Sequence, residues 1–319
     1  MPEDKTPEPG ASEQRPKGEW IYQYGGLRVV SELHLPEWEP FVVAPWPGVA
    51  AALPDVRIVF GQLDHAGPEP LISQTEYAFR VPGVGAFQIR NGCEIVVSPE
   101  DSVRKRKLRP WVLGSGWGAL CYQRGGLVAH ASAVQVGEAA VLFCARSGGG
   151  KSTLAAKLGT RGYALVSDDL CRIEIPAQGA PTVYPAAPRL KLWQDALSNL
   201  GLNTERMEPD HLREGKFHLS AVACGLVNRL PLGAIYLLEW GEPGIRRLSG
   251  LTAFRHFLAA GTWRPKLLEA MGLISGHAQR CMDVVQRVPV WEFKRPRDLP
   301  ATEESVTRLT GHWEASGVS

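Results

Sequence analysis

The stretch SGGGKST, residues 147–153, follows an apolar run, AAVLFCA (139–145), and opens a helical pattern, LAAKLGTRGY (154–163), stopped by Gly162. A glycine run ending in Lys-Ser at a helix start suits phosphate. Backbone N–H groups wrap the oxygens, Lys151 adds a point charge, and the Ser152 hydroxyl can ligate magnesium. Seventeen positions past Lys151, the run ALVSDD (164–169) ends in the pair Asp168-Asp169. Strand, loop, helix and strand in this order make a βαβ unit, whose crossover is right-handed. The loop and the acidic pair then share the carboxyl edge of one sheet, where open α/β sheets bind ligands. The spacing predicts an α/β nucleotide-binding core with Ser147, Gly148, Gly149, Gly150, Lys151, Ser152 and Thr153 as the cradle.

Three details qualify that expectation. The full cradle pattern has a glycine where this chain has Ala145, and the glycines at 148–150 would supply the missing backbone freedom. If the second strand stayed extended through both aspartates, they would point to opposite faces. One would face the phosphates, and the other would serve another role or sit on a turn. One carboxylate could accept the proton of an attacking hydroxyl while the other helps hold metal. His130 lies in LVAHASAV (127–134), read as one buried strand before the cradle strand. A lone histidine in such a strand is more often a hydrogen-bonded core residue than a catalytic one.

Outward from this core, residues 1–18 are rich in Pro, Glu, Lys and Gly and read as a disordered tail. Residues 19–110 carry short apolar runs broken by Pro and Gly, with a hairpin signal at Asn91-Gly92, and predict a small β-rich N-terminal domain. The run Arg104-Lys105-Arg106-Lys107 is either a docking patch for an acidic partner or a solvated linker; four basic residues alone favour the linker. Residues 111–300 hold the core. WVLGSGWGALCYQRGG (111–126) predicts a glycine-containing helix, RIEIPAQGAPTVYP (172–185) a hairpin and IYLLEW (235–240) a buried strand. LTAFRHFLAA (251–260) and PKLLEAMGLI (265–274) predict helices, and PVWEFKRP (289–296) a late strand. Residues 301–319 are read as a C-terminal tail.

Composition narrows the class. With 319 residues, 44% of them hydrophobic, the chain can bury sizeable cores in about two domains. A formal charge of +2 gives no general pull toward nucleic acid. The six cysteines include no C-x-x-C pair, so neither a zinc site nor a disulfide framework is expected. No basic start leads into an apolar stretch, and no run approaches the roughly 20 apolar residues of a membrane span. A cytoplasmic location, with its ATP pool, is the expectation.

Taken together, HASAV (130–134), SGGGKSTLA (147–155) and RGYALVSDD (161–169) resemble the HPr kinase/phosphorylase superfamily. They are most similar to the HPr-kinase-like serine kinases of lasso-peptide and related peptide-modification (RiPP) clusters. Weaker matching segments are YPAAPRLKLW (184–193), GKFHL (215–219) and RVPVWEFKRPRD (287–298). The resemblance implies a P-loop core of the HPr kinase type, a mixed sheet with flanking helices. It implies ATP and Mg2+ as cofactors and phosphoryl transfer to a serine of a small precursor peptide. By it, Lys151 and Ser152 bind triphosphate and magnesium, and Asp168 is the base. Asp169 is its acidic, metal-side partner, and His130 approaches the reacting phosphoryl group. Arg189 and Lys216 match basic positions that could contact phosphate or substrate; a salt-bridged surface role weighs equally. The resemblance also leaves room for a homo-oligomer. The bifunctional HPr enzymes carry a glutamate-containing signature after the acidic pair, where this chain reads AAPRLKLW (186–193). That departure counts against HPr as substrate and against the reverse reaction. A small-metabolite or HPr-like-protein kinase and a non-catalytic nucleotide-binding regulator remain the alternatives.

Overall fold

The computed structural model describes residues 19–43, 53–63, 67, 69–205, 207–210, 213–222, 229–298 and 300–317, and counts refer to these. The segment 1–18, expected as a tail, lies outside them. The architecture is mixed α/β.

The front of the chain forms strands β1 (Trp20–Tyr24), β2 (Leu27–Ser31), β3 (Val56–Phe60), β4 (Leu71–Ile72), β5 (Glu76–Val81), β6 (Gly85–Arg90) and β7 (Glu94–Pro99). They make one sheet in the order β1-β2-β3-β7-β6-β5-β4, with β3 parallel to both its neighbours. Asn91 and Gly92 both take positive φ between β6 and β7, as a tight hairpin turn requires. The sheet's buried face, including Tyr22, Ile58, Phe87 and Ile95, packs with Trp38 of the short 3-10 helix Pro36–Phe41 and does not close on itself. It packs on Trp117 and Leu120 of the next helical segment and on Trp263, Leu267 and Met271 far downstream. One apolar cluster thus joins the front sheet to the rest of the molecule.

That helical segment runs as α1 (Arg109–Trp111), a π turn at Val112–Gly116, and α2 (Trp117–Gln123). Next come β8 (Leu127–Ala129), β9 (Ala131–Val136) and β10 (Ala139–Cys144). The single strand expected over 127–134 is therefore broken at His130. Its N–H leaves the ladder for the Gly261 carbonyl, 2.7 Å away, so β8 and β9 pair with different partners. Helix α3 (Lys151–Thr160) and β11 (Leu165–Asp168) follow. The expected βαβ unit is present, with antiparallel β9 lying between β10 and β11. Loop and acidic pair accordingly share one edge.

The remaining strands are β12 (Cys171–Glu174), β13 (Thr182–Val183), β14 (Arg189–Trp193), β15 (Glu208–Pro209), β16 (Lys216–Ser220), β17 (Leu230–Trp240), β18 (Gly244–Leu248) and β19 (Val290–Arg295). The expected hairpin appears as β12–β13. The large sheet runs β11-β9-β10-β17-β13-β12-β8, with β19 parallel to β17 and β18 at its edge. Strands β14, β16 and β15 form a small separate sheet beside the acidic pair. Along β10, Ala140, Leu142 and Cys144 face one core while Val141 and Phe143 face another, so the central sheet is covered on both sides. Helices α4 (Gln194–Asn199), α5 (Gly250–Gly261), α6 (Pro265–Ala270), α7 (Ile274–Arg287) and α8 (Thr302–Ser316) complete the fold. No described helix is long and apolar enough to cross a membrane.

The C-terminal tail expected over 301–319 is corrected by α8. Val306, Leu309 and Trp313, at helical spacing, are buried against the α3 side of the sheet. Trp313 meets Tyr163 edge-on at 5.2 Å, and Glu303 pairs with Lys157 at 2.7 Å and with Arg161. A Trp313→Ala variant should lose about 3–5 kcal/mol in chemical denaturation; a loss near zero would mean that α8 does not hold the core.

Buried His277 on α7 shares a 3.1 Å hydrogen bond with the Thr262 hydroxyl. Burial, aided by the Arg280 charge, lowers its pKa from 6.5 to about 4. An unfolded chain takes up this proton near 6.5 and the folded protein only near 4. Stability is therefore full above the unfolded value and falls as pH drops through that window. Thermal melts from neutral pH to pH 4 should show a shallower acid limb for His277→Gln than for the parent; identical limbs would count against it.

Candidate active site

The loop after β10 turns twice through left-handed backbone, with Gly148 at φ +78° and Gly150 at φ +72°. Glycine adopts these values without the steric cost a Cβ brings. Gly149 is a glycine for another reason: a Cβ there would stand 2.5 Å from the Ala145 Cβ and 2.9 Å from the Arg146 carbonyl oxygen. Ala145 thus occupies the space that leaves 149 no side chain. The loop ends at the N-terminus of α3, whose unpaired N–H groups and positive dipole end favour an anion.

Lys151 is buried, and its Nζ donates to the Ala145 carbonyl at 3.1 Å. Burial pushes its pKa down, which the nearby Cys144, Asp168 and Asp169 partly counter. A buried ammonium whose hydrogen bond among the described residues goes to a neutral carbonyl is a ready partner for phosphate charge.

The acidic pair divides at the end of β11. Asp168 closes the strand; Asp169 takes φ +68° and turns away. This turn resolves the question of facing posed by an extended pair. Asp168 accepts from the Ser132 hydroxyl at 2.5 Å and from the Ser152 hydroxyl at 2.9 Å, and its second oxygen lies 3.5 Å from the Lys191 N–H. Burial raises its pKa, offset in part by those hydroxyls. Asp169 lies 3.3 Å from His130 Nε2. Desolvation would raise its pKa, but the His130 hydrogen bond and charge, with Lys191 and Lys151, hold it below the usual carboxylate range. With 58% of the Asp169 side chain exposed, solvent screening trims that effect. The Ser152 hydroxyl, expected to share a metal with Asp169, hydrogen-bonds to Asp168.

Ser147, Gly148, Gly150, Lys151, Ser152, Thr153, His130, Asp168, Asp169 and Lys216 all line one open cleft of about 240 Å³. Lys216 Nζ sits 4.9 Å above the Trp193 ring, and burial and then Arg213 lower its pKa. Arg189 is not in this cleft; it is engaged by Glu208 at 3.3 Å and Glu37 at 3.6 Å. Four contributors escaped the sequence reading: Ser132, Lys191, Arg213 and Arg295. Ser132 and Lys191 stood inside quoted segments, but only strand pairing brings them to Asp168. Arg295, at the end of β19, is buried, donates to the Gly149 carbonyl and stacks 4.3 Å from the Trp240 ring. Burial pushes its pKa down to about 10, so it remains a cation beneath the loop.

Ser152 and Asp168 offer adjacent hard oxygen donors, the ligand chemistry that suits Mg2+ alongside phosphate oxygens. Among the described residues, no cysteine or histidine joins them in hydrogen-bond contact with Asp168.

No family model and no curated protein matches this sequence. Among solved structures, the chain is similar to the HPr(Ser) kinase/phosphatase from Coxiella burnetii, at 14% identity and a TM-score of 0.30. That alignment covers 59% of this chain and 98% of the other. Functional assignment therefore rests on the site's own geometry.

Gly149→Ala should cost about 1–3 kcal/mol through overpacking, read by chemical denaturation. Adding Ala145→Gly should recover part of the loss. A double variant no more stable than the single one would contradict the contact between 145 and 149.

Proposed function

We propose that this chain is an ATP-dependent kinase that transfers the γ-phosphoryl group to a serine hydroxyl of a small peptide. The observation that carries this is the acidic turn. One aspartate is hydrogen-bonded to the serine of the phosphate loop, and the next, solvent-facing, is paired with a histidine. A site that only bound nucleotide would have no need of the second pair.

The loop N–H groups and Lys151 would hold the triphosphate of ATP, with Arg295 supporting the loop from beneath. Magnesium, when bound, neutralises charge on the phosphate oxygens; Ser152 and Asp168 are the residues placed to hold it. Asp169 is then the base. A serine oxygen attacks the γ-phosphorus in line, its proton passes to Asp169, and the bond to the β-phosphate oxygen breaks as ADP leaves with the electron pair. His130 orients the Asp169 carboxylate. This exchanges the roles that the family resemblance implies for the two aspartates, because Asp168 is already occupied by three donors. Lys216 and Arg213 at the cleft wall add positive charge where the phosphoryl group moves.

Steady-state kinetics with a seryl peptide, together with nucleotide titrations, separate the two carboxylates. Asp169→Asn should lower kcat by about 100-fold or more with ATP affinity nearly unchanged. Asp168→Asn should chiefly weaken magnesium-dependent nucleotide binding, and Lys151→Ala should weaken binding with or without the metal. Undiminished transfer by Asp169→Asn would overturn the base assignment; undiminished transfer by Lys151→Ala would overturn the kinase site itself.

A further inference from the structure

The acidic turn borders two clefts. Asp168, Asp169, Lys191 and Asp210 line the phosphate-loop cleft and also a second, adjoining one of about 130 Å³. The second cleft runs under the front sheet: Tyr24, Glu37 and Trp38 come from the N-terminal segment, and Arg106 comes from the basic run after it. Its far wall is Arg189 and His218 of the small β14–β16 sheet.

Its polar groups are unevenly matched. Glu37 is nearly buried, with 7% of its side chain exposed, and its Oε1 lies 3.2 Å from Arg109 and 3.6 Å from Arg189. Its Oε2 is buried without a hydrogen-bond partner among the described residues, and so is Nδ1 of His218. A buried carboxylate oxygen left without a donor is costly unless something supplies one. Arg189 is committed to Glu37 and Glu208, and Lys191 to Asp210 at 3.7 Å. Arg106, exposed at the mouth, has no carboxylate partner among the described residues. The cleft therefore offers an unmatched carboxylate oxygen inside and a spare cation at its rim, and Asp169 lines it as well.

We propose that this second cleft is the acceptor subsite, shaped for a seryl unit whose N–H group donates to Glu37 and whose neighbouring carboxylate meets Arg106. The assignment rests on the kinase reading of the first cleft. Its volume admits about one residue, so the acceptor enters as a compact hydroxyl-bearing unit. Asp169 lines both clefts, so a serine hydroxyl held here would meet the base while facing the γ-phosphorus opposite the departing β-phosphate oxygen, as in-line transfer demands. The front sheet, on this account, is half of the substrate site. The amide of a peptide and the ammonium of free serine each present an N–H two bonds from the hydroxyl-bearing carbon, so both enter the test.

Free L-serine and the capped peptides Ala-Ser-Ala, Ala-Ser-Glu and Ala-Ser-Lys would be compared as phosphate acceptors, with ATP affinity titrated in parallel on each variant as the check on folding. The parent should use Ala-Ser-Glu with a KM roughly tenfold below that for Ala-Ser-Lys, the size of one well-placed charge contact. Arg106→Glu, a surface change, should invert that preference. Glu37→Gln should raise the KM of every acceptor about tenfold while ATP affinity holds. Free serine used as well as the peptides supports a metabolite as the source of the seryl unit; peptides used far better support a peptide source. Transfer that ignores the flanking charge and is untouched by either variant overturns the acceptor subsite and leaves the kinase reading standing. ATP binding with transfer to none of the four overturns both.

Discussion

The hydrogen bond from the Ser152 hydroxyl to Asp168, at 2.9 Å, joins the first turn of α3 to the last residue of β11. Everything at the site is positioned by that link. It sets the phosphate loop against the acidic turn across intervening β9, which adds its own Ser132 hydroxyl to the same carboxylate. Asp168 is half-buried and engaged by three donors, and the chain turns at Asp169. The left-handed backbone there throws the second carboxylate toward His130 and solvent. Two neighbouring residues of one type thus receive different environments, and environment decides role.

More than the βαβ unit holds this arrangement in place. The small β14–β16 sheet gives Lys191 to Asp168 and Lys216 to the cleft, while the 3-10 helix Pro36–Phe41 brings Glu37 against Arg109 and Arg189. The apolar cluster that includes Trp38, Trp117 and Trp263 locks the front sheet to the helical segment carrying the π turn. Residues of that turn, Gly114 and Ser115, line the phosphate-loop cleft. A π turn inside a helix is a recurrent feature of functional sites because it re-aims backbone without breaking the helix. The glycine loop, acidic turn and front sheet are consequently packed as one unit.

Much of this was legible in the sequence. Local signals carried the loop, α3, the acidic strand end, the β12–β13 hairpin and the buried strands β10, β17 and β19. Each is a short segment whose pattern repeats with one period. What failed to show depended on pairing between distant segments. The insertion of β9 between β10 and β11 is a matter of strand order, which periodicity does not encode. The break at His130 is set by a hydrogen bond to Gly261, far along the chain. Arg189 was open between a phosphate contact and a salt-bridged cation, and its bridge to Glu37 could not be read because that partner is distant in sequence. Helix α8 was in principle readable from Val306, Leu309 and Trp313, but mid-helix Thr and Gly residues dilute its apolar stripe.

The central claim is that phosphate leaves ATP at this site and arrives on a serine oxygen. Incubating the protein with ATP labelled in the γ-phosphate, magnesium and a seryl peptide, then locating the label by mass spectrometry of the peptide, tests it most directly. The account predicts a phosphate ester on the serine side chain, formed in step with ADP. Label found only in unreacted ATP or in free phosphate, with the peptide unmodified, would contradict it.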